Sequence, residues 1–388
     1  MKPRGRVLVL AVSVPIMVFA VVGGFLGKAS AQGDSYQHLR IFEDVVTLIL
    51  NNYVEDVDVD NVMHGAMHGL VDGLDPDSAY LDPGQVTAFK AATPVAAQVG
   101  LELTRQYYLR VIAARDGSPA QAAGLLPGDY IRAINGMPTR DTSVFEGMRE
   151  LAGAPGTTVT LTVLRGNAAE PHEVEMTRAA AAPVAVSGRM AKPGVGLIRV
   201  PEFVAATPGQ IRAQAAALAK AGATRLVVDL RGTAFGSLDA GLAAARLFVK
   251  DGTLGFRQDR GQEKQPVAAA AGDGAITQPV ALLVDNGTSG AAELFAAALG
   301  GNKRASLVGE RTLGRAAEQK LVPLPDGSGL LLTHLYFLTP DGTVIHEKGL
   351  MPDVAVEQPT AEFGEPLPAG DATLDAAIDA LAAPKAAA

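Results

Sequence analysis

The sequence predicts a multidomain α+β protein: an N-terminal helical region, a β-rich middle with two helices, and an α/β core. Three observations predict it. From Tyr36 to about Lys90 apolar residues recur at helical spacing. From about Thr93 to Arg178, turns marked by glycine and proline separate short runs of alternating apolar residues. From about Ala180 to Val356, near-continuous apolar runs alternate with an Ala-rich helical stretch, the pattern of a parallel sheet buried on both faces. At 388 residues, 48% of them hydrophobic, the chain is long enough for two or three compact units.

Bulk chemistry removes several function classes. Lys and Arg number 33 against 41 Asp and Glu, a net charge of −8, so no basic field is present to attract a phosphate backbone, and nucleic acid is not an expected partner. Cysteine is absent, which excludes disulfides, thiolate catalysis and Cys-based zinc sites. The six His are spread along the chain and no phosphate-binding Gly loop follows a strand, so neither a metal nor a cofactor is expected. At the N-terminus, Lys2, Arg4 and Arg6 precede the uncharged run Val7 to Leu26, and Ala29-Ser30-Ala31 reads as a small-x-small cleavage site. Residues 1–33 therefore form either a cleaved export signal or, the run being 20 residues long, a retained inner-membrane anchor. Either reading places the protein in the periplasm or cell envelope.

The helical region, residues 34–92, carries Leu39, Phe42, Val45, Val46, Leu48 and Ile49, then Val62, Met63, Met67, Leu70 and Val71, before Leu74-Asp75-Pro76-Asp77-Ser78 breaks the period. Two or three short helices are expected. The second unit, residues 93–178, contains Gly117-Ser118-Pro119-Ala120-x-x-Ala123-Gly124-Leu125-x-Pro127-Gly128-Asp129-x-Ile131-x-x-Ile134-Asn135-Gly136. There Gly124 and Gly128 supply turn geometry, Asp129 to Asn135 reads as a short strand, and Asn135-Gly136 is a hairpin signal. A helix from about Ser143 to Leu151 and a strand from Thr157 to Arg165 follow. This run closely resembles a PDZ domain. The resemblance implies strand addition of an extended peptide C-terminus, its carboxylate held by the loop Val99-Gly100-Leu101-Glu102-Leu103, with the Ser143 to Leu151 helix closing the groove. The alternative is that Leu101 and Leu103 are core strand residues of a domain without a ligand.

In the third unit, residues 179–360, Val195 to Val200 and Arg225 to Leu230 read as buried strands joined by a helix over Thr207 to Ala221, a β-α-β crossover. Pro279 to Val284 is another buried strand and Ala291 to Leu299 a helix; Leu321 to Leu324 and Leu330 to Phe337 are strands about an Asp326-Gly327 turn. From Ala361 to Ala388 the chain is an Ala/Pro-rich tail with one short helix, Leu374 to Leu381.

Two segments carry the chemistry: Asp285-Asn286-Gly287-Thr288-Ser289-Gly290-Ala291-Ala292-Glu293-Leu294, and Gly309-Glu310-Arg311-Thr312-Leu313-Gly314-Arg315-Ala316-Ala317-Glu318-Gln319. They resemble the catalytic core of the S41 carboxy-terminal processing serine peptidases. The likeness runs from Tyr53-Val54 and Leu74 to Leu81, where the family has its dimer-contact helices, to Glu347-Lys348-Gly349-Leu350-Met351-Pro352-Asp353. In that family a Ser three residues before the Glu is the nucleophile, and a Lys four residues before a Gln is the general base. The resemblance puts Gly290 on the Ser, Arg315 on the Lys and Gln319 on the Gln. A Ser–Lys dyad needs an amine that can lose its proton near neutral pH, which a guanidinium does not do. The family's Asp-Leu-Arg-x-Asn-Pro-Gly-Gly run is here Asp229 to Gly236, with Phe235 replacing the first Gly; Gly236 and Ala291 remain as candidate oxyanion amides. Phe235 either fills the acyl site or packs on the core. Ser289, one residue before Gly290, is a candidate nucleophile with Lys303, Lys320, His334 and His346 as candidate bases, or else a helix cap. Lys320 should face away from Gln319, and His346 falls in a run that resembles a structural segment of the family.

The resemblance implies an exported, PDZ-bearing relative of these peptidases that binds protein C-termini or unfolded segments without Ser–Lys proteolysis. The enzymatic alternative is an S41-type endopeptidase using Ser289. A third is a protein that assembles with itself or with an active paralogous peptidase through its helical region.

Overall fold

The computed structural model describes residues 36–91, 96–166, 170–358, 361–365 and 369–382. The N-terminal signal or anchor lies outside these; among the described residues no helix is long and apolar enough to cross a membrane. The chain divides into two compact units, Met1–Gly69 and Leu70–Ala388.

In the first unit a helix spans 36–52, and the helix Val59–Asp72 begins there. Leu39, Val45, Leu48 and Tyr53, members of the apolar periodicity or its flank, are exposed. The stretch from Leu70 belongs to the second unit, and its Ala79–Leu81 strand pairs antiparallel with Leu331 to Gly329. The helix Pro83–Ala91 follows.

The PDZ part of the second unit is a sheet of Leu101–Gln106, Tyr108–Ala114, Tyr130–Ile134, Thr158–Leu164 and His172–Thr177, with Leu101–Gln106 at one edge. Asn135 and Gly136 both take positive φ, 50° and 80°, and turn Tyr130–Ile134 onto Met137–Pro138, as an Asn-Gly hairpin requires. Ser143 caps the helix Val144–Leu151 through a reciprocal pair of bonds with Glu146. Asp129, buried, accepts the Leu126 N–H at 2.9 Å and two bonds from Arg165 at 2.7 Å. That explains the acid after the Pro-Gly turn: it ties the turn to the strand Thr158–Leu164 and the Arg just past its end.

The core is a sheet of six strands in the order Val354–Ala355, Ala305–Gly309, Val280–Val284, Arg225–Asp229, Val195–Arg199 and Ser187–Lys192, all neighbours parallel except the last pair. Successive strand residues point to opposite faces, and both faces are covered. Leu226, Val228 and Leu282 meet residues of the helices Thr207–Lys220, Leu238–Ala245 and Ala291–Gly301. Val227, Ala281 and Leu283 meet Leu374, Ala377 and Ile378 of the helix Ala372–Ala382. The tail is thus a cover on the second face. A further antiparallel sheet joins Ala317–Pro323, Gly329–Leu338, Thr253–Asp259, Gln265–Ala268 and the Ala79–Leu81 strand.

Candidate functional site

The strand Val280–Val284 ends in a turn that leads directly into the helix Ala291–Gly301. Asp285 organises the turn: its carboxylate accepts the N–H groups of Gly232 at 2.9 Å and Gly287 at 3.0 Å and the Thr288 hydroxyl at 2.9 Å. Burial pushes its pKa up, and those hydrogen bonds only partly offset the cost of the charge. Ser289 N–H donates to Thr233 O at 3.0 Å, so the turn is fixed to the loop after Arg225–Asp229. The residue at the helix cap is Gly290 and not Ser289. Its φ of 59° and ψ of −114° lie where L side chains are strained, which is why a glycine sits there comfortably. Ser289 is buried at this turn.

Glu293, one turn into the helix and fully buried, holds the next loop in place. It accepts the N–H groups of Gly290 at 3.0 Å, Gly314 at 2.6 Å and Arg315 at 2.7 Å, and the Thr312 hydroxyl. Burial raises its pKa against the pull of these four donors. One carboxylate therefore brings Gly290 and Arg315 together: a Cβ placed on Gly290 would stand 3.7 Å from Arg315 O and 3.8 Å from Leu238 Cδ2. There is room for a side chain at Gly290.

The Arg315 guanidinium is committed elsewhere. Nε pairs with Asp77 at 2.8 Å, and Nη1 pairs with Glu102 at 2.6 Å and donates to Leu103 O at 3.3 Å. Burial works against its charge, but Asp77 and Glu102 outweigh burial and hold its pKa above the ordinary arginine value. Glu102 is pushed up by burial, with Arg315 opposing. No proton leaves Arg315 at any accessible pH. Gln319, on Ala317–Pro323, donates to Thr333 Oγ1 at 3.3 Å, while Lys320 beside it is exposed.

Gly236 closes a two-residue parallel bridge, Glu202–Phe203 against Phe235–Gly236, and any Cβ there would fall 2.1 Å from Phe203 O. Ala291 is the first residue of the helix Ala291–Gly301, where free backbone N–H groups gather. Phe235 packs on the PDZ strand Tyr108–Ala114, in a cluster with Ile112 and Ala113 that Leu313 and Ala234 flank. The Arg115 guanidinium lies over its ring at 4.6 Å. Of the candidate bases, Lys303 follows the C-terminal end of Ala291–Gly301, about 16 Å along the helix from Ser289. His334 faces Asp259 at 3.4 Å, and His346 stacks on Tyr336 with ring centroids 6.4 Å apart. The two imidazoles are thus engaged with Asp259 and Tyr336.

In the proposed peptide loop, Val99, Leu101 and Leu103 are buried in the PDZ core, against residues that include Val144 and Leu151 of the closing helix. Gly100 has φ of 80° and turns the chain into the edge strand Leu101–Gln106. Glu102, of opposite parity on that strand, points to Arg315.

A model of peptidase family S41 matches residues 194–356, a PDZ domain model 110–165, and a model of the activating protease CtpB N-terminal domain 23–84. The carboxyl-terminal-processing protease of Synechocystis sp. is 36% identical over 301 residues, 76% of this chain and 70% of that one. The chain belongs to the carboxyl-terminal-processing proteases of family S41. The Bartonella bacilliformis carboxy-terminal-processing protease is 28% identical over 365 residues, 89% of this chain and 83% of its own. The solved photosystem II D1 C-terminal processing protease superposes with a TM-score of 0.68 at 27% identity, covering 81% of this chain and 86% of that one.

Within this S41 architecture the sequence conceals several of the working contacts. Glu102 is read there only as part of a peptide loop and Asp77 only as part of a helix breaker, yet both face Arg315. The anchoring role of Glu293 has a local signal, an acid three residues into an Ala-rich helix. The spacing His64-x-x-x-His68 on Val59–Asp72 escapes a reading of the six His as scattered. Among the described residues, no group of three or more His, Asp or Glu is placed to hold a metal ion.

Proposed function

We propose that this S41-family chain is an exported, PDZ-bearing protein that binds polypeptide C-termini or unfolded segments and has lost Ser–Lys proteolysis. One observation carries the reading. Gly290 and Arg315, which stand for nucleophile and base in the family resemblance, are neighbours joined through Glu293, and neither offers the chemistry: one has no side chain and the other is a guanidinium held by two carboxylates. Hydroxyl activation needs an adjacent group that accepts a proton, and Arg315 donates only. In this reading the backbone amides of Gly236 and of Ala291, the first residue of its helix, are the oxyanion donors that outlast the nucleophile. Export rests on the basic and apolar N-terminal run, which also supplies contact with the inner membrane. The helical region is the reading's surface for a second copy or a paralogous peptidase.

The test is incubation of the purified protein with an unfolded reporter substrate, beside its Ser289→Ala variant. Equal background in both is expected. Time-dependent cleavage that disappears in Ser289→Ala overturns the reading, because a contaminating protease would survive that substitution.

A further inference from the structure

Among the described residues three ion pairs join the PDZ part to the peptidase core, two with the arginine on the core and one with it on the PDZ part. Arg315 of the core reaches Glu102 at 2.6 Å; Arg199 of the core reaches Asp116 at 2.9 Å; Arg115 of the PDZ part reaches Glu202 at 3.1 Å. The two parts also share an apolar contact, Phe235 with Leu313 on the core side and Ile112 with Ala113 on the PDZ side. Arg115 closes over the Phe235 ring, so the ion-pair set and the apolar contact share a residue. Arg315 also reaches Asp77, in the segment that leads into the antiparallel sheet, and so ties three stretches of chain at one guanidinium. A planar fork of donors can face two carboxylates at once, which a lysine ammonium on a flexible stem does less well.

We propose that Arg315 and Phe235 form an interdomain clamp that holds the PDZ domain in one fixed placement on the peptidase core. The contacts stand whatever the chemistry of the cleft. That these two residues occupy positions given in the family to the base Lys and a cleft Gly rests on the reading of the preceding section. On that reading, side chains placed for catalysis in relatives have been replaced by ones that fasten the two domains together. The clamp is specific to these types: glycine at 235 offers the PDZ strand no apolar face and Arg115 no ring, and alanine at 315 leaves Glu102 and Asp77 without their shared partner.

The chain has no cysteine, so two introduced thiols report without background. Spin labels at Met137→Cys on the PDZ hairpin and Gln262→Cys on a core turn, both exposed, give a distance distribution for the full chain by pulsed electron resonance. One narrow distribution is expected in the parent. Arg315→Ala and Phe235→Gly should each broaden it and add a displaced population. Glu102→Gln, which acts from the PDZ side and leaves the core loop intact, should do the same should a core variant unfold. Lys192→Ala breaks an exposed pair with Asp375 away from this interface and should leave the distribution as it was. Unchanged narrow distributions in the folded Arg315→Ala, Phe235→Gly and Glu102→Gln proteins overturn the clamp. Proteolysis by the parent would overturn the functional reading and leave these distributions untouched, so the two failures are separable.

Discussion

The Glu293 carboxylate accepts the backbone N–H of Arg315 at 2.7 Å, across 22 residues of sequence. With Gly290, Gly314 and Thr312 on the same two oxygens, a single buried acid fixes the loop that follows Ala305–Gly309 to the helix that follows Val280–Val284. Truncation strands buried donors, so Glu293→Ala is expected to cost about 3 kcal/mol or more. Glu293→Gln keeps the shape but replaces one acceptor with a donor, and should cost about 1–3 kcal/mol. Urea unfolding of both variants checks the order. A loss below about 0.5 kcal/mol in Glu293→Ala would mean that the loop is held by other contacts.

Gly290 occupies a backbone conformation that costs any L residue about 1–2 kcal/mol, while the space at its Cβ is open. Gly290→Ser should therefore fold, with a midpoint lowered by that strain alone and no proteolysis. Adding Arg315→Lys is not expected to restore turnover. A lysine at 315 would face Asp77 and Glu102, and opposite charges at that range keep an amine protonated. Turnover of an unfolded reporter is expected only when Asp77→Asn and Glu102→Gln accompany the pair, with Phe235→Gly if the ring obstructs substrate. Cleavage by the Gly290→Ser/Arg315→Lys protein alone would show that the two carboxylates do not govern the amine.

How much of this could be read from sequence depended on whether the signal was local. Val195–Arg199, Arg225–Asp229 and Val280–Val284 announce themselves as apolar runs because both faces of their sheet are covered. Asn135-Gly136 forces its own turn. Ser187–Lys192 is silent: an edge strand, mostly exposed, it has no apolar alternation to display. Ala79–Leu81 is too short to signal, and its partner strand lies at Gly329–Leu338. The site divides the same way. The paired segments around Gly290 and Arg315 are visible as a motif, but the commitment of Arg315 to Glu102, 213 residues away, is set by the docking of two domains. Ser289 reads as a cap by residue type; positive φ gave that place to Gly290.

The C-terminal helix Ala372–Ala382 is anchored by an ion pair that should be sensitive to acid. Asp371 receives Arg231 at 2.8 and 2.9 Å and accepts the Leu374 N–H at 3.0 Å. Burial, the largest effect, raises its pKa, but Arg231 and the Leu374 N–H together outweigh it and leave the value below the ordinary 3.8. A carboxyl with a depressed folded-state pKa contributes stability that is present above 3.8 and lost as pH falls through the folded value. Amide protection factors in 374–382, taken relative to the intrinsic exchange rate at each pH and measured above and below that range, should fall in acid. Asp371→Asn should exchange faster at neutral pH and lose that part of the acid response. An identical acid response in Asp371→Asn would assign the effect to another group.

The edge strand Leu101–Gln106 is where a peptide would add, and Arg315 already donates to its Leu103 carbonyl while pairing with Glu102. A ligand therefore competes with a contact made inside the chain, and its apparent affinity falls by the fraction of molecules in which that contact is open. Titration of the full chain with apolar-ended peptides should give weak binding that amidation of the peptide C-terminus weakens further, since amidation removes the charge that loop amides hold. Arg315→Ala should tighten binding of the free-carboxylate peptide while amidation remains costly in both proteins. Tighter binding without sensitivity to amidation would point to strand addition that ignores the terminus. Equal, absent binding of both peptide forms in both proteins would make the domain a spacer and remove the binding role proposed for it.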